Sequence, residues 1–80
     1  MKKKIIRTLA EEHYAYAFSA AYHAAIGDRI TEGKCREAIN AIHDIIKGIG
    51  LKEGIDYTTY RTTKTAGDHE ITFFAIRAII

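Results

Sequence analysis

Three features of the sequence predict an α+β fold, with two antiparallel helices packed on one face of a small antiparallel sheet. Residues 8–47 hold two stretches of helical periodicity, interrupted once at Gly27-Asp28. After Gly54 the apolar period changes from helical to alternating, and Thr and Tyr, both strand formers, crowd residues 55–63. Gly67-Asp68 then separates that stretch from a second apolar one running to Ile80. The expected order is β-α-α-β-β in a single domain of residues 1–80, the first strand being the open element.

That first strand is Lys3 to Arg7, short and centred on the β-branched pair Ile5-Ile6; a frayed arm is the other reading. Thr8 is placed to cap a helix, with Glu11 three residues on as in a capping box and Glu11-Glu12 at the positive end of the dipole. The helix is expected to reach about Ile26 with Tyr14, Phe18, Ala21 and Ala25 on its inner stripe, flanked by Ala10, Ala17 and Ala24. Glu12, Tyr16, Ser19 and His23 fall on the opposite, solvent side.

Gly27-Asp28 makes the turn, and Thr31 is the expected cap of a second helix from Glu32 to Lys47. Cys35, Ala38, Ile39, Ile42, Ile45 or Ile46, and Ile49 form its apolar stripe. Gly48 is placed to supply the left-handed residue of a Schellman stop, with Ile49 folding back. Ile55 to Thr63 is the next strand, Lys64 to Asp68 a hairpin loop, and His69 to Ile80 the return strand. That last strand is apolar on both faces: Ile71, Phe73, Ala75 and Ile79 point one way, and Phe74, Ile76, Ala78 and Ile80 the other. Such a strand expects cover on both faces, and two helices supply one. A helical conformation from Phe73 onward is the alternative.

Eighty residues with 48% hydrophobic and 28% charged side chains make one domain with a thin stability margin. The formal charge of +2 is too diffuse for a dedicated nucleic-acid binder, although Lys2-Lys3-Lys4 and Arg7 form one local excess. Cys35 is the only cysteine, so no internal disulfide forms, and Arg7, Glu11 and Glu12 interrupt any signal-peptide core. The longest uncharged run, His13 to Gly27, is too short for a membrane span. A reducing, cytoplasmic setting is expected.

No pattern points to catalysis. His13, His23, His43 and His69 each lack a ligand three or four residues onward, so no helical metal pair is expected, and no cofactor. Cys35 lies beside Lys34 and Arg36, which would favour a thiolate, yet it shares the apolar stripe and reads as a packed thiol. The carboxylates have no expected apolar pocket, and no glycine-rich phosphate loop is present. Not an enzyme is the reading.

Two surfaces stand out for binding. Tyr57 to Gly67 has no acid and displays Tyr60, Arg61 and Lys64 among threonines, a composition suited to phosphate contacts from a β-ribbon. Two cations are few for that role, and strand propensity explains the threonines. Tyr16 with His23 is a second candidate, since exposed tyrosines make good interface anchors. The surplus apolar strand face adds Phe73 and Phe74, one of which is expected at a homodimer contact through the sheet.

Gly50-Leu51-Lys52-Glu53-Gly54-Ile55-Asp56-Tyr57-Thr58, followed by the hairpin and Glu70-Ile71-Thr72, resembles the wing region of phage antirepressor N-terminal domains. The resemblance covers residues 50–72, does not extend to the first helix, and transfers no functional residue. It implies a phage or mobile-element origin. The expected function is a small non-catalytic module that inhibits or adapts a partner protein by occluding it, of anti-defence or anti-CRISPR type. The alternative is a nucleic-acid-binding regulator using the basic N-terminus and the hairpin.

Overall fold

The computed structural model describes residues 2–79 and contains helix α1 (Lys2–Ala25), helix α2 (Arg29–Gly48), strand β1 (Tyr57–Ala66) and strand β2 (His69–Ala78). Helices and sheet form the expected α+β arrangement, but the expected first strand is absent. Lys3 to Arg7 is instead the opening of α1. The reason is tertiary: helical spacing sets Ile6 one turn before Leu9, and both enter the core. A five-residue strand there would have no partner. Thr8 therefore caps nothing; its hydroxyl donates to the Lys4 carbonyl at 3.1 Å within the helix, and Glu11 is not part of a capping box.

The buried stripe of α1 is Ile6, Leu9, His13, Ala17 and Ala20. It is rotated from the expected one because α1 is packed on two sides, against α2 and against β2. Ala10, Tyr14, Phe18 and Ala21 form the partly buried flank, whereas Ala24 and Ala25 are exposed. Ser19 also departs from expectation: it turns towards α2, where its Oγ lies 3.2 Å from the Cys35 Sγ.

Gly27 ends α1 with φ 82°, its N–H bonding the Ala24 carbonyl while the Asp28 N–H bonds that of His23, the paired bonds of a Schellman stop. Asp28 then caps α2, its carboxylate accepting from the Thr31 N–H at 3.0 Å. The cap is thus Asp28 rather than Thr31, and α2 starts three residues earlier. At the other end the Schellman motif is present but displaced. Gly50, with φ 78°, bonds the Lys47 carbonyl, and Leu51 bonds that of Ile46. Gly48 stays helical, and Leu51, not Ile49, folds back to join Ile46 in the core.

A short connector, residues 51–56, leads to the hairpin. Asp56 holds it: its carboxylate accepts from the Lys52 N–H at 2.8 Å and pairs with the Lys2 ammonium at 3.1 Å. Its backbone carbonyl accepts from the Ile79 N–H. β1 and β2 pair antiparallel from Tyr57↔Ala78 to Ala66↔His69, a longer ladder than expected, closed by the two residues Gly67-Asp68. Gly67 takes φ 60°, as a II′ hairpin turn demands of its first residue. Residue 80, expected on the same parity as Phe74, Ile76 and Ala78, lies outside the described residues.

β2 packs against α1 and separates β1 from it, while α2 reaches the sheet only by side chains. Ile71, Phe73 and Ala75 pack on Ala17, Tyr14, Phe18 and Tyr22. The opposite parity is also partly covered: Ile76 and Ala78 join Ile6, Leu9, Ile42, Ile46 and Leu51 where the chain converges. The apolar surplus anticipated on the last strand is therefore smaller than two full faces imply; within β2 it is Phe74, and beyond the end of β2 Ile79 is exposed as well. Phe74 is 64% exposed, whereas Phe73 is 5% and Ala75 0%.

Candidate functional site

Between α2 and the sheet lies a groove of about 360 Å³. Arg36, Ile39 and His43 of α2 form one wall. Thr59, Thr72, Phe74 and Ile76 of the hairpin form the other, and His13, Ala17 and Ala21 of α1 lie at its floor. The small floor residues account for the open space. Phe74 stands in this wall with Arg61 directly across on β1, and the Thr63 and Thr72 hydroxyls pair at 3.0 Å beside them.

At the floor, His13 Nε2 lies 3.3 Å from His43 Nε2, with the rings edge to face. His13 is 4% exposed and its Nδ1 has no partner. The tautomer that avoids an unpartnered buried N–H carries the His13 proton on Nε2, donating to His43, and leaves Nδ1 a bare lone pair. Burial lowers the His13 pKa from its ordinary value, and the neighbouring His43 lowers it further. Sequence spacing missed this pair because its members are thirty residues apart on different helices. The available signal was His13 itself, one helical turn from Leu9 and from Ala17 on the buried stripe. Among the described residues, no three metal-ligating side chains converge.

The residues singled out for binding do not gather in one place. Lys64 leans its ammonium over the rings of Phe18, at 4.7 Å, and Tyr14, at 5.8 Å, so it fastens the hairpin to α1. Tyr60 is half-buried, with the Arg77 guanidinium 5.5 Å from its ring centre. Phe73 belongs to the core, edge-on to Tyr14 and Phe18, and leaves Phe74 as the accessible member of the pair. Tyr16 is exposed on α1, but His23 is folded onto its own helix, its Nδ1 2.7 Å from the Ser19 carbonyl. Neither lines the groove. Cys35 is buried between the helices, as its place on the apolar stripe indicated.

The cations are also spread out. Lys4 and Phe18, the ring under Lys64, are fourteen residues apart along α1, about 21 Å of helix. Lys2 is paired with Asp56. The basic start and the hairpin cations therefore form no single phosphate-binding stripe.

β1 has a second property that the pattern of side chains did not reveal. Its outer edge meets the connector at Tyr57, where Glu53 forms an isolated parallel bridge and the Gly54 N–H bonds the Tyr57 carbonyl at 2.7 Å; from Thr58 to Ala66 that edge has no strand neighbour among the described residues. No helix of the described residues is long and apolar enough to cross a membrane. Comparison with protein-family models, with curated proteins and with solved structures returned no match, so the likeness of residues 50–72 to an antirepressor wing rests on those residues alone.

Proposed function

We propose that this protein is a small non-catalytic binding module that engages another protein through the hairpin side of the groove, as an inhibitor or adaptor. Exposed Phe74 carries the reading. It is the one large apolar residue left open on a strand whose neighbours Phe73, Ala75 and Ile76 are all buried. An aromatic standing beside a groove, rimmed by Arg61, Arg36 and threonine hydroxyls, has the make-up of a binding anchor with a polar surround. The buried lone thiol of Cys35 suits a reducing, cytoplasmic compartment. Inhibition of a larger machine of the kind mobile elements encounter is the form of activity that such a surface without catalytic groups would serve.

A photo-crosslinking phenylalanine analogue in place of Phe74 tests this directly. It is expected to capture a discrete protein from cell extract, while the same analogue in place of Tyr16 does not. Absence of capture at residue 74, together with a salt-sensitive shift of DNA or RNA that Arg61→Ala abolishes, would replace this reading with the nucleic-acid one.

A further inference from the structure

We infer that the free edge of β1 is a strand-addition site, and that its occupant is an extended segment of a partner protein carrying a carboxylate near its middle. The inference rests on the protein-binding reading above and specifies how the partner is held. β1 contributes ten residues to a two-stranded sheet; on the side away from β2 the connector bonds it at Tyr57 alone, and Thr58 to Ala66 have no strand there among the described residues. The outer peptide groups of such an edge are spaced for one kind of ligand, another extended chain, which satisfies them at every second residue.

Soluble proteins usually defend an edge of this length with proline, a bulge, extreme shortness or several outward lysines. β1 has none of the first three. It contains no proline, and its register with β2 is unbroken from Tyr57 to Ala66. Its one lysine is turned onto the rings of Phe18 and Tyr14, away from guarding the edge. Thr58, Thr59, Thr62, Thr63 and Thr65 are β-branched and hold the strand extended, which lowers the ordering cost of pairing.

Charge selects the occupant. From Tyr57 to Gly67 the strand and turn contain Arg61 and Lys64 and no acid. The carboxylates flank the strand at its two ends: Asp56, paired with Lys2, and Glu53, which accepts from the Thr59 hydroxyl, at one, and Asp68 in the turn with Glu70 opposite Thr65 at the other. An added strand meets at its centre the Arg61 guanidinium, which has no carboxylate partner among the described residues, and negative groups at either end, so its own carboxylate belongs in the middle. A second copy of this chain would bring another Arg61 to the same edge, which disfavours self-pairing.

The test uses the full chain and synthetic peptides of about eight residues, alternating Thr and Val, with a central Glu or a central Lys. Backbone amide shifts and hydrogen exchange are followed by NMR. The Glu peptide is expected to shift residues 58–65 selectively and to slow exchange at alternate β1 amides, binding roughly two- to fivefold tighter than the Lys peptide. Arg61→Glu is expected to reverse that preference. N-methylation of every second peptide residue, tried in both phases, is expected to weaken binding by roughly a hundredfold in one phase only. The inference is overturned if β1 amides do not respond, if the Glu and Lys peptides bind alike, or if the peptide-free protein sediments as a dimer with those amides already protected. Should the peptides fail while the crosslinker at residue 74 still captures a protein, the binding reading stands without strand addition; should both fail, both fall.

Discussion

The two ends of the molecule are built differently. Where the helices, the connector and the base of the hairpin converge, Ile6, Leu9, Ile42, Ile46, Leu51 and Ile76 interlock, so both helices, the connector and the sheet contribute aliphatic bulk to one cluster. Towards the hairpin turn, Ile71, Phe73 and Ala75 lean on α1 through Tyr14, Phe18 and Tyr22, and α2 adds only Ile39. The first end is filled by contributions from every element. The second leaves a groove beside Phe74 and a bare strand edge. A chain of this size cannot bury everything: single isoleucines such as Ile30, Ile49 and Ile55 stay exposed on α2, at its C-cap and on the connector, and on the hairpin side the exposed ring of Phe74 stands beside a groove and an open strand edge.

The largest effect that would sharpen this contrast is Ile6→Ala. Ile6 is 0% exposed at the closed end, so truncation should cost about 2–5 kcal/mol, a large part of the roughly 5–15 kcal/mol that a domain has in total. Denaturant unfolding measures it. An unchanged midpoint would mean that residues 3–7 are the loose arm that the sequence also allowed.

Acid should separate the ends by pH. At the groove floor His13 is held neutral, its pKa lowered by burial and by His43. Between that lowered value and the ordinary 6.5 the unfolded chain binds more protons, so stability falls as pH drops below 6.5. At the closed end the Asp56 pKa is lowered by the Lys52 N–H and then by Lys2, so its contribution persists until pH falls below the ordinary 3.8 and is lost through the lowered value. Melting temperatures of the wild type and His13→Leu across this range check the order: the variant should lose the mild-acid decline and keep the strong-acid one.

Next in size are the glycines after α2. Gly50→Ala should destabilise by about 1 kcal/mol because Gly50 has φ 78°, whereas Gly48→Ala, in a helical position with open space around it, should stabilise by roughly 0.5–1 kcal/mol. Opposite signs in thermal melts establish which glycine makes the stop.

That pair also shows what sequence could and could not reveal. The stop motif, the turn at Gly27-Asp28, the hairpin and the amphipathic stripe of α2 are written in local patterns, so they were legible to within a few residues. The motif's position was not, because Gly48 and Gly50 are equally permissive until Leu51 is seen to pack on Ile46. The Ile5-Ile6 pair misled for a related reason: β-branching favours a strand locally, and the core that Ile6 enters is assembled from distant residues. Phe74 was named with Phe73 from alternation alone, while their parity depended on which face of β2 met α1. The His13–His43 contact, the hold of Asp56 on its connector and the groove itself are products of tertiary placement.

The smallest expected change in stability is at the open end, and it is the most diagnostic. Phe74 is largely in solvent, so Phe74→Ala removes little buried area and should shift stability by no more than about 0.5 kcal/mol. Phe73→Ala, one residue away but facing Tyr14 and Phe18, should cost about 3–5 kcal/mol. A residue kept aromatic for the fold and one kept aromatic for a partner are thus adjacent in sequence and opposite in orientation. If Phe74→Ala proved as damaging as Phe73→Ala in denaturant unfolding, the groove wall would be part of the core and the open end would not be open. If it left unfolding unchanged while lowering crosslinked yield from positions beside it, the cost of keeping that ring in water would have its explanation in binding.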